Sequence, residues 1–284
     1  MTRRRKAVSA LLLCAVGVGI AGLQCGLTTQ YYRLSTGKIP SGEGVRLVVL
    51  SDLHSGTYGK NQRQLLYHIR EQLPDLLLLC GDIVDDKRSQ DSAKQLLEQL
   101  ADIAPCYYVS GNHEFWSDDP EAIFQMIEGY GISVLRNAYE TITVNDVNLT
   151  ICGVDDPAAY GNRQRRAYGD GDAYRSALEK FDTLPDDCFT VLLAHRPEYI
   201  AAYAEHPFDL TLCGHAHGGQ WRIPYFMNGL IAPNQGWFPK YAGGQYVYGN
   251  MTEIVSRGLA RDWKPRLFNP PELVVVYVEG TADG

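Results

Sequence analysis

The chain has 284 residues, 45% hydrophobic and 21% charged. That composition excludes a disordered or low-complexity protein. The sequence also lacks the heptad run, G-x-y period or internal repeat of coiled coils, collagen and solenoids. The formal charge of −7 is unevenly spread. Arg3, Arg4, Arg5 and Lys6 stand at the start, so the remaining chain carries 22 basic against 33 acidic side chains, a net −11. A body this acidic is a poor surface for a polyanion, and no nucleic-acid partner is expected.

Residues 1–6 read as a basic cytoplasmic N-terminus and residues 7–27 as a transmembrane signal anchor. Ala7 to Leu27 carries no charge, and its length suits a helix across a hydrocarbon core about 30 Å thick. The competing reading is a cleaved signal peptide, but no clear A-x-A cleavage site follows. The basic cluster places the rest of the chain on the extracytoplasmic side of a cell membrane, in single-pass topology. Residues 28–44, with Gly37, Pro40, Gly42 and Gly44, read as a linker. Residues 45–284 then form one domain. The seven cysteines are widely spaced and never C-x-x-C, so they read as small buried thiols.

Short apolar runs predict strands at 46–50, 76–80, 106–109, 141–144, 149–153, 190–194, 210–213, 253–256 and 273–278. Helical periodicity lies between them at 62–73, 92–103, 120–129 and 173–181. Residues 138–153 read as a hairpin turning at Asn145-Asp146. The class is therefore α/β with mixed sheets.

Five of these runs end in polar clusters: Asp52 and His54; Asp82 and Asp85; Asn112, His113 and Glu114; His195; and His215 and His217. Ligand sites in open α/β sheets form beyond strand carboxyl ends. Five of the seven histidines lie in these loops. An imidazole and carboxylate set without thiolate suits Mn²⁺ first, with Fe, Zn²⁺ or Co²⁺ as alternatives. The donors are too many for one ion. Two divalent ions sharing a carboxylate explain them, a centre suited to phosphoryl displacement.

In this order the motifs D-x-H, G-D, G-N-H-E, H and G-H-x-H resemble the calcineurin-like metallophosphoesterase superfamily. The G-H-A-H-G-G-Q ending at Gln220 and the R-L-F-N-P-P-E-L tail resemble its bacterial transmembrane branch, which includes proteins described as UDP-2,3-diacylglucosamine hydrolases. The resemblance implies a four-layer α-β-β-α sandwich. It implies that Asp52, His54 and His217 hold one metal, that Asn112, His195 and His215 hold the other, and that Asp82 bridges them. It makes His113 the catalytic histidine at the leaving group. Asp86-Lys87 stands where the protein-phosphatase branch has Arg-Gly, which argues against a phosphoprotein substrate.

Asp85 and Glu114 are candidates for orienting an imidazole, or else simple caps. Gln220, Arg222 and Arg257 are candidate substrate contacts. The aromatics of 221–250 either wall a lipid-like substrate, face a bilayer or pack an irregular lobe. The expected function is hydrolysis of a phosphodiester or pyrophosphate bond in a phosphate-ester substrate. Lipid-linked and nucleotide-sugar diphosphates are its natural candidates. The alternative is a non-catalytic metal-binding scaffold on the same fold. Oligomeric state is not legible.

Overall fold

The computed structural model describes residues 26–161, 171–185, 187–261 and 265–281, with Gly17, Gly22 and Leu23. In chain order the strands are β1 (Thr28–Ser41), β2 (Gly44–Leu50), β3 (Leu76–Cys80), β4 (Cys106–Val109), β5 (Ser133–Val134), β6 (Ala138–Val144) and β7 (Val147–Gly153). They continue with β8 (Phe189–Leu193), β9 (Leu210–Cys213), β10 (Ile231–Ala232), β11 (Gly236–Trp237), β12 (Gly244–Tyr248), β13 (Met251–Val255) and β14 (Glu272–Gly280). Two six-stranded sheets result, ordered β1-β14-β2-β3-β4-β5 and β12-β13-β9-β8-β7-β6, and β10 pairs with β11. Both sheets are mixed: β2, β3 and β4 run parallel while β14 is antiparallel to β2, and β7, β8 and β9 run parallel while β6 is antiparallel to β7.

The layers follow from alternation along buried strands. All five residues of β3 are buried. Successive side chains of a strand point to opposite faces, so Leu76, Leu78 and Cys80 join Val49, Leu149, Val191 and Leu212 between the sheets. Leu77 and Leu79 face the other way, onto Leu65, Ile69, Leu96 and Ile127. Those residues belong to the helices Arg63–Glu71 and Pro120–Gly129 and to the apolar face of Asp91–Leu97. On the far sheet, Cys152, Leu192 and Cys213 pack under Tyr174, Leu178 and Tyr203. The order is helix, sheet, sheet, helix. Each fully buried leucine contributes roughly 1.5–3 kcal/mol of transfer free energy. The five cysteines among the described residues are free and buried.

The hairpin turn at Asn145-Asp146 forms with both residues at positive φ, 49° and 61°. That is the pattern of a two-residue hairpin whose twist matches its strands.

Two sequence expectations need comment. The linker reading of 28–44 is wrong, because Thr28–Ser41 is a strand parallel to β14. Its register runs from Thr28 opposite Glu272 to Thr36 opposite Gly280, and then slips before Ser41. Gly37 and Pro40 fall in that slip, and an edge strand tolerates both. Tyr32 and Leu34 pack against the inter-sheet core. The expected transmembrane helix over 7–27 lies almost wholly outside the described residues. Among the described residues, no helix is long and apolar enough to cross a membrane. In the 160–190 stretch, the helix Gly171–Leu178 packs on the far sheet through Tyr174, Ala177 and Leu178.

Candidate metal centre

Each predicted loop follows the carboxyl end of its strand. Asp52 and His54 come after β2, Asp82 and Asp85 after β3, and Asn112, His113 and Glu114 after β4. His195 follows β8, and His215 and His217 follow β9. The two sheets meet here: the His195 Nδ1–H donates to the Cys80 carbonyl at 2.7 Å.

The side chains converge in three groups; one joins His54 and Asp85 to His113, and the other two gather the remaining histidines of the loops. Asp52, His54 and His217 present ligand atoms close enough to share an ion, as do Asp82, His195 and His215. His54 Nε2 is 3.3 Å from His217 Nε2, and Asp52 Oδ1 is 3.6 Å from His217 Nε2. In the other group, His215 Nδ1 is 3.3 Å from His195 Nε2. Asp82 Oδ2 lies between them, 3.1 Å from His195 Nε2 and 3.7 Å from His54 Nε2. One carboxylate oxygen thus faces both groups.

The backbone is held in unusual conformations to achieve this. Asp52, His54, Asp82, His215 and His217 all have positive φ, between 49° and 66°. Such conformations cost non-glycine residues energy and collect at functional sites, where surrounding contacts enforce them. Gly81 is also at positive φ, 80°, and a Cβ there would stand 2.7 Å from His195 Nδ1.

Against this geometry the comparisons with known proteins are decisive. The sequence model of the family described as calcineurin-like phosphoesterase matches residues 45–219. The chain belongs to that family. It is a metal-dependent phosphoesterase, and the family works through a dinuclear divalent metal centre. The uncharacterized metallophosphoesterase YkuE of Bacillus subtilis is 28% identical over 265 residues, which span 90% of this chain and 86% of its own. Phosphodiesterase YaeI of Escherichia coli is 29% identical over 210 residues, 72% of this chain and 71% of its own. A Danio rerio transmembrane protein with a metallophosphoesterase domain is 32% identical over 192 residues, 64% of this chain but 43% of its own. The solved structure of a Thermus thermophilus sulfate thiohydrolase, SoxB, shares the fold at TM-score 0.51 and 15% identity, covering 85% of this chain and 57% of that one.

The phosphoesterase's residues fit such a centre. Asn112 is buried, and its Oδ1 has no hydrogen-bond partner among the described residues. Asp52 and Asp82 are fully or almost fully buried, and two buried carboxylates call for compensating positive charge. Burial, and then the Asp82 charge, push the Asp52 carboxyl up, although His195 and His54 pull the other way. For Asp82, burial is outweighed by His195 and His113, so its carboxyl falls well below the usual range. Burial opposes a charged His195, yet Asp82 carries its pKa up to about 10. His215 and His217 are driven well below the ordinary imidazole value, first by burial and then by neighbouring cations. Those two rings are neutral, the state in which imidazole ligates.

Tautomers are fixed from outside. A carbonyl oxygen only accepts, so the His195 Nδ1 keeps its proton and Nε2, turned inward, is the nitrogen that would give up a proton to a metal. The His215 Nε2–H donates to Asn234 Oδ1 at 2.9 Å, and that oxygen also accepts from Arg196 Nη1–H at 2.7 Å. Arg196 is in turn paired with Asp156 at 2.6 Å and 3.0 Å. Asp85 Oδ2 lies 3.4 Å from His54 Nδ1 and 3.6 Å from His113 Nδ1. Asp86 comes closer, with Oδ1 2.7 Å from His113 Nδ1. Glu114 differs from its expected role at an imidazole. It is a buried acceptor of the main-chain N–H groups of Asp82, Val84 and Gly111 at 3.0, 3.0 and 2.8 Å.

Of the candidate substrate contacts, Arg257 and the Arg222 main chain are engaged elsewhere and Gln220 adjoins the last metal loop. Arg257 pairs with Glu272 at 2.7 Å. Burial and the Arg257 charge together lower the Arg222 pKa. Gln220 meets the last metal loop through its main chain, which donates to the His217 carbonyl at 3.2 Å. Asn269, in the N-P-P-E tail, donates to the carbonyls of His217 and Gln220. Sequence reasoning missed Asp86, Asn234 and Asn269 as supports. The quoted tail contained Asn269, whereas nothing local marks Asn234.

Proposed function

We propose that this phosphoesterase hydrolyses a phosphodiester or pyrophosphate bond in a membrane-associated substrate. Asp52, His54 and His217 would hold one divalent ion, and Asn112, His195 and His215 the other, with Asp82 between them. When bound, the two ions supply Lewis acidity toward a phosphoryl oxygen and lower the pKa of water. The observation that carries the reading is Asp82 Oδ2, which faces a histidine of each group at 3.1 and 3.7 Å.

His113 acts at the leaving group. Its Nδ1 is engaged by Asp86 at 2.7 Å, so proton delivery falls to Nε2. Its main-chain N–H donates to Asp82 Oδ1 at 2.8 Å, which fixes the imidazole beside the shared carboxylate. Acid catalysis of this kind contributes about 10²–10⁴-fold. Burial of these side chains to a few per cent exposure lowers the local dielectric and strengthens the charge interactions among them.

The phosphodiesterase name of the Escherichia coli relative favours a diester over a monoester. Residues 7–27 serve as a single-pass anchor with the domain on the extracytoplasmic side. The basic cluster Arg3–Lys6 and the uncharged run behind it support this reading. So does the transmembrane relative from Danio rerio.

The test is hydrolysis by the metal-stripped full chain after addition of Mn²⁺, with bis-p-nitrophenyl phosphate beside the monoester and Asp82→Ala as control. Metal-dependent diester cleavage that the control lacks establishes the activity. UDP-2,3-diacylglucosamine then tests the lipid-linked pyrophosphate class. Diester hydrolysis that persists in the Asp82→Ala protein would overturn the assignment.

A further inference from the structure

The segment after His217 carries the largest exposed apolar side chains of the described residues. Tyr225 and Phe226 are 104% and 89% exposed, and Phe238 and Trp237 are 69% and 67% exposed. Ile223 and Trp221 are about half exposed. Single exposed hydrophobics are ordinary, but six on one lobe are a patch with a purpose. The lobe is one unit. Trp221 N–H and Leu230 N–H both donate to the Gly219 carbonyl, and Phe238 N–H donates to Leu230. Its strands β10 and β11 place Ile231 opposite Trp237.

Two further observations say what covers it. Trp221 is bridged to Leu267, and the Phe268 N–H donates to the Gly22 carbonyl at 2.7 Å. A Cβ on Gly22 would stand 2.7 Å from the Phe268 ring. The lobe therefore adjoins the end of the apolar run Ala7–Leu27. The residue types also suit a boundary. Tyrosine and tryptophan combine an apolar ring with a polar edge and collect at membrane–water interfaces. The Trp221 indole N–H is already satisfied by the Pro265 carbonyl at 3.0 Å. Fully exposed Lys240 stands two residues beyond Phe238, where it would meet anionic headgroups.

We propose that this lobe is a membrane-interface surface, resting at headgroup depth on the bilayer that residues 7–27 enter. The inference rests on the proposed anchor and adds a second, in-plane contact to it. That contact has a consequence for the site. Asn234, between β10 and β11, accepts from His215 Nε2–H at 2.9 Å. Gly218 and Gly219 of the lobe's stem follow His217 directly. The lobe thus ties the last metal loop to the surface that would rest on the bilayer.

The experiment reconstitutes the full chain with vesicles of phosphatidylcholine and phosphatidylglycerol, with or without bromine-labelled acyl chains. Flotation at neutral pH and after alkaline carbonate reads the anchor. Bromine quenching of tryptophan fluorescence, compared among wild type, Trp237→Phe and Trp221→Phe, reads the lobe. The expected result is a floating, quenched protein whose quenching falls measurably in Trp237→Phe, with flotation retained. Carbonate extraction of a protein quenched at neutral pH overturns the anchor and leaves the surface standing. Carbonate-resistant flotation without Trp237-dependent quenching overturns the surface and leaves the anchor. Absence of flotation overturns both. A concentration-dependent dimer that hides Trp237 from lipid makes a second copy the occupant and also overturns the proposal.

Discussion

Glu114→Gln removes one oxygen from a carboxylate that ties the loop after β3 to the loop after β4. Oε2 accepts from Asp82 N–H and Gly111 N–H, and Oε1 from Val84 N–H. The side chain is fully buried. A glutamine that keeps its oxygen at the Oε2 position preserves two of these bonds as neutral ones. Its NH₂ then faces the Val84 N–H, donor against donor. An unpaired buried donor costs about 1–3 kcal/mol, and loss of charge from the other two bonds adds on the order of 1 kcal/mol. The variant should therefore lose roughly 2–4 kcal/mol of stability. For a chain of this size that is a fall of roughly 5–15 °C in Tm. Denaturant unfolding of the metal-free protein measures it directly. Titration calorimetry with Mn²⁺ should show about 10–100-fold weaker binding, the usual cost of losing a support behind a metal ligand. A Glu114→Gln protein within about 0.5 kcal/mol of wild type, the scatter of neutral surface changes, would refute this account of the loops.

His113→Ala should retain two metal ions while turnover falls about 10²–10⁴-fold, whereas Asp82→Ala should lose metal. Metal analysis of both proteins beside their diester rates separates the two outcomes, and equal metal loss would sink the division of roles. Asn234→Ala frees the His215 ring from outside the ligand set, so Mn²⁺ affinity should drop about 10-fold or more, with a stability loss of about 1 kcal/mol from the Arg196 Nη1–H that loses its acceptor. A chain beginning at residue 34 splits β1 and uncovers the amides of β14 opposite Thr28–Arg33. It should unfold at lower denaturant and aggregate more readily than one beginning at residue 26. Glu253 is buried, and burial, followed by the Glu198 charge, raises its carboxyl well above the ordinary value despite the Cys213 thiol. The folded state then binds a proton that the unfolded state releases. Stability from this group is full below the unfolded carboxylate pKa and declines as pH rises toward the raised one. Glu253→Gln should flatten that decline and raise stability at neutral pH, as pH-dependent unfolding curves would show.

Much of the site was legible because its residues sit where strands end. Strand ends can be read from short apolar runs, and Asp52, Asp82, Asn112, His195 and His215 each follow one. Glycine beside them marked the tight turns. Glu114 shows where this stops: the G-N-H-E motif placed it at a helix start, beside the Gly111 amide, but the Asp82 and Val84 amides that it also serves lie about thirty residues earlier, in the loop after β3. In the sequence Asp86 stands out only as a departure from the protein-phosphatase motif. The fold sets its carboxylate at His113 because the loops after β3 and β4 lie side by side.

Sequence alone determined the alternation of strands and helices, the donor chemistry and the expectation of two ions, since these depend on local pattern and residue type. It misread 28–44, because Gly37, Pro40, Gly42 and Gly44 outweigh a short alternation around Tyr32 and Leu34 that takes its meaning from pairing with β14. Tertiary structure alone decided that Asp82 faces both histidine groups, that Asn234 and Arg196 stand behind His215, and that six exposed hydrophobic residues share one lobe beside Gly22. The first two, and the approach of the lobe to Gly22, are meetings of segments distant along the chain. Such meetings are set by how the two sheets stack, which no short window of sequence encodes.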